Sequence, residues 1–395
     1  TARHAAASAL FMQDRDNSAN YKQIAATKPS LLLEGETPRL IDEWAEAPVL
    51  WDAVRYTVDM RGDVGQFILT GSAVPKDVTD DENLKEEEKR MHSGVGRIAP
   101  MRMRTMSLWE SKESNGKVSL ASLFEGDADV AAISDLTIEG LAYATCRGGW
   151  PASTKLKEKA ALRVARNYVE EVINYDVHRV DGVDKNTTRV RKLLESYARN
   201  ISTMAANETI MADVRATDQT ISPNTFAIYL SALRRIFIVD DVPAWSPALR
   251  SKTKIRTSPK RHFVDPSIAV ALMGTNPQGL LKDFPTFGFL FEDLCARDLR
   301  VYAQALDGEV YHYRDKNELE CDLVVALRDG RWGAVEVKLG KNEEEDAAKH
   351  LIELSENIDN QRMKSPSFLM ILTAGQYAYR RADGVYVVPI GCLKD

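Results

Sequence analysis

Two short apolar segments that each end in polar residues most constrain the fold of this chain. Residues 38–48 read PRLIDEWAEAP, in which an apolar pair runs directly into Asp42 and Glu43, and residues 66–73 read QFILTGSA. An apolar run that ends at a carboxylate fits a buried parallel strand whose last residue faces Mg²⁺ and phosphate at the sheet edge. The two segments therefore predict the Walker B and sensor strands of a nucleotide-binding α/β domain.

The polar residues at these strand ends have separate expected roles. Asp42 is expected to hold the Mg²⁺ that accompanies ATP, and Glu43 to act as the catalytic carboxylate that polarises water. Thr70 and Ser72 carry hydroxyls that orient this water or sense the γ-phosphate. The predicted cofactors of this domain are therefore ATP and Mg²⁺.

The phosphate loop that should precede these strands has no match in the chain. A loop of the form G-x-x-x-x-G-K-[ST] surrounds the phosphates with backbone N–H groups, and no segment fits it. Residues 1–7, TARHAAA, are typical of the helix that follows such a loop. We therefore expect the loop to lie before the first residue, and this chain alone to bind ATP weakly.

A glycine-flanked arginine follows the two predicted strands. Residues 92–97 read HSGVGR, and the glycines permit either a close approach to phosphate or a tight turn. Arg97 is the candidate arginine finger or sensor arginine. If a neighbouring subunit supplies this finger, the active form is an oligomer, and the sequence leaves that point open.

Composition narrows the class of protein. The chain has 395 residues, of which 44% are hydrophobic and 28% charged, enough for two or three domains with ordinary cores. Its longest apolar runs are strand-length, well below the roughly 20 residues of a membrane helix. The four cysteines show no CxxC spacing, which argues against a disulfide scaffold. We expect a cytoplasmic protein with no membrane partner.

One segment is strongly basic, although the whole chain carries a net charge of −6. Residues 245–262, WSPALRSKTKIRTSPKRH, contain six basic residues and no acidic residue. Hydroxyls alternate with cations there, as a phosphate-contacting loop or wing requires. DNA is therefore a predicted partner, and the alternative is a solvated basic loop. The candidate nucleic-acid contacts are Arg250, Lys252, Lys254, Arg256, Lys260 and Arg261.

Three segments of helical period precede this basic stretch. They begin at Thr187, Glu208 and Ser222, and the last starts with Ser222-Pro223, an N-cap followed by a first-turn proline. Three helices followed by a basic hairpin indicate a winged helix-turn-helix, with a recognition helix at 223–235 and a wing at 250–262. The alternative is a helical spacer that contacts protein instead of DNA.

The C-terminal part carries the spacing of a metal-dependent nuclease. In AVEVK at 334–338, Glu336 and Lys338 share one face because strand side chains alternate. Asp322 opens the preceding strand, and a three-residue loop at 329–331 would pair it with Lys338. All three side chains are then expected on one side of the sheet.

This arrangement predicts specific roles. Asp322 and Glu336 would hold one or two Mg²⁺ or Mn²⁺ ions, Glu292 would complete the metal shell from a helix, and Lys338 would position or deprotonate water. Glu336 and Lys338 are accordingly the candidate catalytic pair. The alternatives are an exposed Glu-x-Lys pair without function and a nuclease-like fold kept as a binding platform.

Together these motifs resemble a known family. The chain is similar, nearly end to end, to prokaryotic AAA-family ATPases that carry a C-terminal domain of unknown function 4143. The resemblance implies an ATP-binding N-terminal domain with Asp42 and Glu43 as its Walker B pair, a winged helix, and a restriction-endonuclease-like C-terminal fold. It runs through LLLEGETPRLIDEWAEAP, QFILTGSA, HSGVGRIAPMRMRTMSLWES, RGGWP, IYLSALRRIFIVDDVPAWSPALRSKTKIRTSPKRHFVDPS, GFLFEDL and ECDLVV…AVEVK.

The expected architecture has four parts. Residues 1–145 form a truncated P-loop domain, 146–182 a helical connector, 183–270 the winged helix, and 271–395 the nuclease-like domain. The expected function is ATP binding and hydrolysis coupled to DNA binding or processing. The alternative is a nucleotide-dependent switch that binds DNA or a protein partner without nuclease activity.

Overall fold

The computed structural model describes residues 2–71, 96–126, 130–179, 185–246, 257–315, 318–358 and 364–395. Two units divide these residues, the first ending at Met103 and the second beginning at Arg104. The first contains a parallel sheet and the second a larger sheet with both parallel and antiparallel pairs. The expectation of a mixed α/β protein is therefore confirmed.

Three short strands form the parallel sheet of the first unit. Strand β1 (Ser8–Phe11) pairs with β2 (Arg39–Asp42), which pairs in turn with β3 (Phe67–Thr70). Leu40 and Ile41, at the centre of the sheet, are both buried, as in a strand covered on both faces. Strands β2 and β3 match the predicted pair, and β1 adds a strand that the sequence analysis did not predict. The helices of this unit are α1 (Ala2–Ala5), α2 (Ser18–Thr27) and α3 (Val49–Arg61).

The second unit begins with two short strands and continues through a helical region into the large sheet. Within the described residues, no helix is both long and apolar enough to cross a membrane. The first part contains β4 (Val118–Ser119), α4 (Leu120–Glu125), β5 (Ala132–Ile133), α5 (Ile138–Arg147), α6 (Glu158–Glu171), α7 (Val177–Arg179), α8 (Thr187–Arg199), α9 (Asn207–Arg215), α10 (Pro223–Arg235), α11 (Pro266–Met273) and α12 (Pro277–Leu280).

The large sheet has seven strands, which lie in the order β5, β10 (Tyr377–Arg380), β11 (Tyr386–Pro389), β9 (Phe368–Thr373), β8 (Trp332–Lys338), β7 (Glu320–Leu327) and β6 (Gly308–Arg314). Strands β6, β7 and β8 form an antiparallel meander, and β8, β9 and β11 run parallel to one another. Ala334 and Trp332 of β8 pack with Leu351 of the helix that joins β8 to β9. The remaining elements are α13 (Phe284–Ala305), α14 (Glu344–Asn357) and β12 (Leu393–Lys394).

Helix α10 begins where the sequence predicts it. The Ser222 hydroxyl accepts a hydrogen bond from the backbone N–H of Thr225, and Pro223 occupies the first turn. Phe226 and Leu230 are buried, along with Tyr229 and Leu233. The local capping and periodicity signals are therefore confirmed for this helix.

The boundary expected at residue 145 is not where the structure divides the chain. Residues 104–145 belong to the second unit, because β4 pairs with β12 and β5 pairs with β10. The backbone N–H of Leu108 also donates to Asp298 of α13 at 3.0 Å. The N-terminal sheet domain is thus shorter than composition suggests, and the stretch after it completes the large sheet.

Candidate functional site

The carboxyl ends of the three parallel strands meet at one edge of the first sheet. The register sets Phe11 beside Asp42 and Asp42 beside Thr70. The Thr70 hydroxyl donates a 2.6 Å hydrogen bond to Asp42 Oδ1. Two residues predicted to bind nucleotide and Mg²⁺ are therefore in direct contact, at the edge where parallel α/β sheets bind ligands.

The other residues predicted for this edge are placed differently. Glu43 follows β2 with a φ of 53°, a left-handed conformation that is uncommon outside glycine, and its carbonyl accepts from Glu46 N at 3.0 Å. Arg97 donates from Nε to Asp59 Oδ1 of α3 at 2.7 Å. This hydrogen bond raises the pKa of Arg97. Ser72 lies outside the described residues.

The register of β7 and β8 differs by two residues from the predicted one. Leu323 pairs with Val335 and Val324 with Ala334, which sets Asp322 opposite Glu336 instead of opposite Lys338. The shift arises because the turn closes with Leu327 N donating to the carbonyl of Arg331, one residue earlier than expected at each side. A shift of two preserves the face of every side chain.

Three of the predicted nuclease residues consequently meet at the ends of these strands. Lys338 Nζ lies 2.9 Å from Glu336 Oε2 and 3.6 Å from Asp322 Oδ2. Asp322 Oδ2 also accepts from the backbone N–H of Val337 at 3.0 Å. Glu292, on α13, joins the same group through a cation that bridges it to Asp322.

That bridging cation is Lys260, a residue predicted to contact DNA. Lys260 Nζ donates to Glu292 Oε1 at 2.6 Å and to Asp322 Oδ1 at 2.9 Å. Its backbone is fixed by two reciprocal bonds with Val242, at 2.9 and 3.0 Å. Local sequence gives no signal for this contact, because the partners are 32 and 62 residues away along the chain. We name Lys260, Glu292, Asp322, Glu336 and Lys338 together the charged cluster.

Burial and neighbouring charges both shift the pKa values of the carboxyl groups in the charged cluster. Burial raises the pKa of Glu292 to about 7 against the effect of Lys260. Burial, reinforced by Asp322, raises the pKa of Glu336 to about 8. Burial would also raise the pKa of Asp322, but Lys260 and Lys338 outweigh it and hold that pKa below its ordinary value. At neutral pH two ammonium groups therefore face one fully ionised carboxylate and two carboxyl groups that titrate near neutrality.

Two of the predicted DNA contacts, Lys260 and Arg261, are buried and bind groups inside the protein. The Lys260 side chain is 7% exposed, and its charge is neutralised within the charged cluster. Arg261 is buried and donates to Ala205 O at 2.8 Å and Asn207 Oδ1 at 2.9 Å, with Asp241 at 3.2 Å. A phosphate on the surface cannot reach either side chain. The other four predicted contacts, Arg250, Lys252, Lys254 and Arg256, lie outside the described residues.

The charged cluster does not have the arrangement of a metal centre. Divalent ions bind oxygens at about 2.0–2.6 Å, with several oxygens directed at one point. Among the described residues, no group of three or more His, Cys, Asp or Glu side chains could hold a metal ion. The carboxylates of Glu292 and Asp322 point at the Lys260 ammonium instead, so the predicted ligand set of Glu292, Asp322 and Glu336 does not fit Mg²⁺ or Mn²⁺ as it stands. For Asp42, the fourth predicted ligand, the oxygen partner in the structure is Thr70.

A buried histidine near the charged cluster predicts a pH effect on stability. Burial, together with the nearby charges of Lys260, His262 and Arg314, lowers the pKa of His312 to about 4. The unfolded chain takes up a proton near pH 6.5 and the folded chain only near pH 4, so folding stability falls as pH falls between these values. His312 should contribute about 1.4 kcal/mol per pH unit to this dependence. Because buried His262, whose pKa is also lowered, to about 3, contributes in the same direction, His312→Gln should show a pH slope that is smaller by this amount and not absent, as measured by urea unfolding at several pH values; an equal slope in both proteins would contradict the assignment.

Comparisons with known proteins match the second unit in two pieces. Residues 138–279 match a domain of unknown function, DUF8612, and residues 287–393 match a domain of unknown function, DUF4143. The second match confirms the expected C-terminal domain, and the first falls on the helical region that the sequence analysis divided between a connector and a winged helix. Searches of curated proteins and of solved structures gave no significant match.

Proposed function

We propose that this protein is an AAA-family nucleotide-binding ATPase in which the nucleotide state controls binding to DNA. The N-terminal unit would bind and hydrolyse ATP. The helical region, acting as a winged helix, would contact DNA. The C-terminal domain, with a nuclease-like fold, would contribute a second surface in contact with DNA or with a protein partner.

The contact between Asp42 and Thr70 carries the proposal. Both residues end parallel strands, and a 2.6 Å hydrogen bond joins their side chains at the carboxyl edge of the sheet. A carboxylate held by a hydroxyl on the next strand is oriented before any ligand arrives, as a site that must place Mg²⁺ and water requires. Leu40 and Ile41, which precede Asp42 on the same strand, are buried.

Each residue at this edge would have a defined task. When bound, Mg·ATP supplies the phosphoryl group and the metal charge. Asp42 would orient the metal, and Thr70 would hold Asp42 while contributing a hydroxyl near the γ-phosphate. Glu43, in its left-handed conformation just beyond the strand, would accept a proton from water. Arg97 would have to leave Asp59 to reach a phosphate, and the exposure of this pair permits the exchange.

ATP hydrolysis and ATP-dependent DNA binding test the proposal. The protein should be prepared at the full length of its natural reading frame, and Asp42→Asn should lower its Mg-dependent ATPase rate by about 100-fold or more. The same variant should abolish any difference in DNA affinity between ATP and ADP, measured by fluorescence anisotropy with a labelled duplex at fixed salt.

Asp52→Asn provides the matched control. Asp52 lies on α3 of the same unit, where it neighbours Arg55 at 3.6 Å, and this substitution should leave both measurements unchanged. The proposal fails if the full-length protein neither binds nor hydrolyses ATP. It also fails if Asp42→Asn behaves like the control, because the strand edge would then have no part in nucleotide binding.

A metal-dependent nuclease is the second candidate function. Asp322, Glu336 and Lys338 converge at the ends of β7 and β8, which favours it. The ammonium of Lys260 between Glu292 and Asp322 weighs against it. The geometry therefore supports a switch without cleavage better than a nuclease, and metal binding by the charged cluster decides between them.

A further inference from the structure

Lys260 occupies the charged cluster in the manner of a bound cation. Its ammonium donates to one oxygen of Glu292 and one oxygen of Asp322, at 2.6 and 2.9 Å. These carboxylates come from α13 and β7, elements that are separate along the chain. An ammonium that bridges two acidic side chains places one positive charge at the position where a metal ion would bind them.

The position of Lys260 is built into the fold. Its backbone forms an antiparallel bridge with Val242 through two hydrogen bonds, at 2.9 and 3.0 Å. The neighbouring Arg261 is anchored by Ala205 O and Asn207 Oδ1. The side chain of Lys260 is 7% exposed, so it is not a surface lysine that happens to fall near acidic groups.

A divalent ion and Lys260 cannot use the same two carboxylates together. An ion bound to Glu292 Oε1 and Asp322 Oδ1 would lie between these oxygens, in the space that the ammonium fills. Two like charges at that separation inside a protein repel strongly. Lys338 holds Glu336 on the other side at 2.9 Å, which removes a third oxygen from the set available to a metal.

We infer that Lys260 is a tethered cation that excludes divalent metal ions from the charged cluster, and that this cluster binds a divalent ion when Lys260 is removed. The inference goes beyond the proposed function and does not depend on ATP binding. The Lys260 ammonium would therefore occupy the position of a metal ion next to the C-terminal domain. If the Lys260 side chain left this position, Glu292 and Asp322 would become available to bind a cation.

Mn²⁺ binding, measured by electron paramagnetic resonance of the free ion, tests the inference. The wild-type chain should show no saturable binding at micromolar Mn²⁺. Lys260→Met keeps the length of the side chain without its charge, and it should bind one Mn²⁺ at least roughly 100-fold more tightly than the wild type. Adding Asp322→Asn to Lys260→Met should abolish the new site. Mn²⁺ should also raise the melting temperature of Lys260→Met and not that of the wild type.

Controls separate this result from general effects of charge and folding. Lys349→Met removes an exposed lysine that neighbours Glu345 and Asp346, and it should bind no more Mn²⁺ than the wild type. If Lys260→Met does not fold, Lys260→Gln retains hydrogen-bond donors and is expected to bind Mn²⁺ in the same way. Tight binding by the wild type itself, or no binding by any folded Lys260 variant, overturns the inference. Neither result bears on whether Asp42 supports ATP hydrolysis.

Discussion

Replacing Arg297 by methionine should lower the free energy of unfolding of the second unit by about 3–5 kcal/mol. Arg297 is buried on α13 and donates to Asp298 Oδ1 at 2.6 and 2.8 Å and to Asp265 Oδ2 at 3.1 Å. Methionine fills a similar volume without a charge, so two buried carboxylates would lose their cation. The cost is large because buried unpaired charges are poorly solvated.

The same network explains why the effect should spread beyond one helix. Asp265 also accepts from the backbone N–H of Gly149 at 2.8 Å and caps α11, and Asp298 accepts from Leu108 N at 3.0 Å. Urea unfolding, read by hydrogen exchange of peptides from α13, measures the change. Peptides that contain Leu108 and Gly149 should lose protection together with α13.

An exposed ion pair provides the comparison for Arg297. Arg199 pairs with Asp213 at 2.6 Å, but its side chain is 64% exposed. Arg199→Met should therefore cost at most about 1 kcal/mol. The double variant Arg297→Met with Asp298→Asn should recover part of the lost stability, since it removes one of the two unpaired charges. If Arg297→Met and Arg199→Met lowered the free energy of unfolding equally, burial of the Arg297 ion pairs would not determine their contribution to stability.

Gly149→Ala should destabilise the second unit by about 3 kcal/mol. A Cβ built on Gly149 would lie 2.0 Å from the carbonyl oxygen of Met106 and 2.8 Å from its nitrogen. Both are backbone atoms, so no side-chain rotation relieves the clash. Met106 N also donates to Gly149 O at 2.7 Å, and the two segments would have to separate. Differential scanning calorimetry of the chain measures the loss.

Gly288→Ala is the matched control with the opposite expected sign. Gly288 lies within α13, and a Cβ there would meet no atom within 4 Å apart from its chain neighbours and the backbone of its own helix. Alanine should raise stability by about 0.5–1 kcal/mol, because it restricts the unfolded chain and favours the helix. If both alanine variants shift stability in the same direction, the close backbone approach at Gly149 does not determine the result.

Local signals in the sequence predicted the elements that depend on near neighbours. The cap at Ser222, the apolar face of α10 and strands β2 and β3 follow from residues only a few positions apart. The positions of Asp42 and Thr70 at the ends of these strands followed as well, whereas the hydrogen bond between them is seen only in the structure. These features needed only periodicity and capping rules.

Local signals in the sequence predicted the charged cluster only in part. Alternation placed Glu336 and Lys338 on one face correctly, since that property belongs to a single strand. The register of β7 and β8 depended on which residues close the turn, and an error of one residue at each side shifted the pairing by two. Lys260 is predicted to lie on a phosphate-contacting wing because it belongs to a segment rich in basic residues and hydroxyls that contains no acidic residue. Only its three-dimensional partners, Glu292 and Asp322, reveal that it is buried.

The large sheet has a practical consequence for anyone who dissects this chain into fragments. Strand β5 and strand β4 come from the segment before α5, yet they pair with β10 and β12 near the C-terminus. A fragment cut to residues 287–393 would lose both partners and expose the free edge of β10, the kind of edge that templates aggregation. The residues matched by the family therefore do not include all strands of the large sheet, and we expect a fragment that begins near Arg104 to fold better than one cut to the match. Because these paired strands are far apart along the chain, we also expect slow refolding after dilution from denaturant.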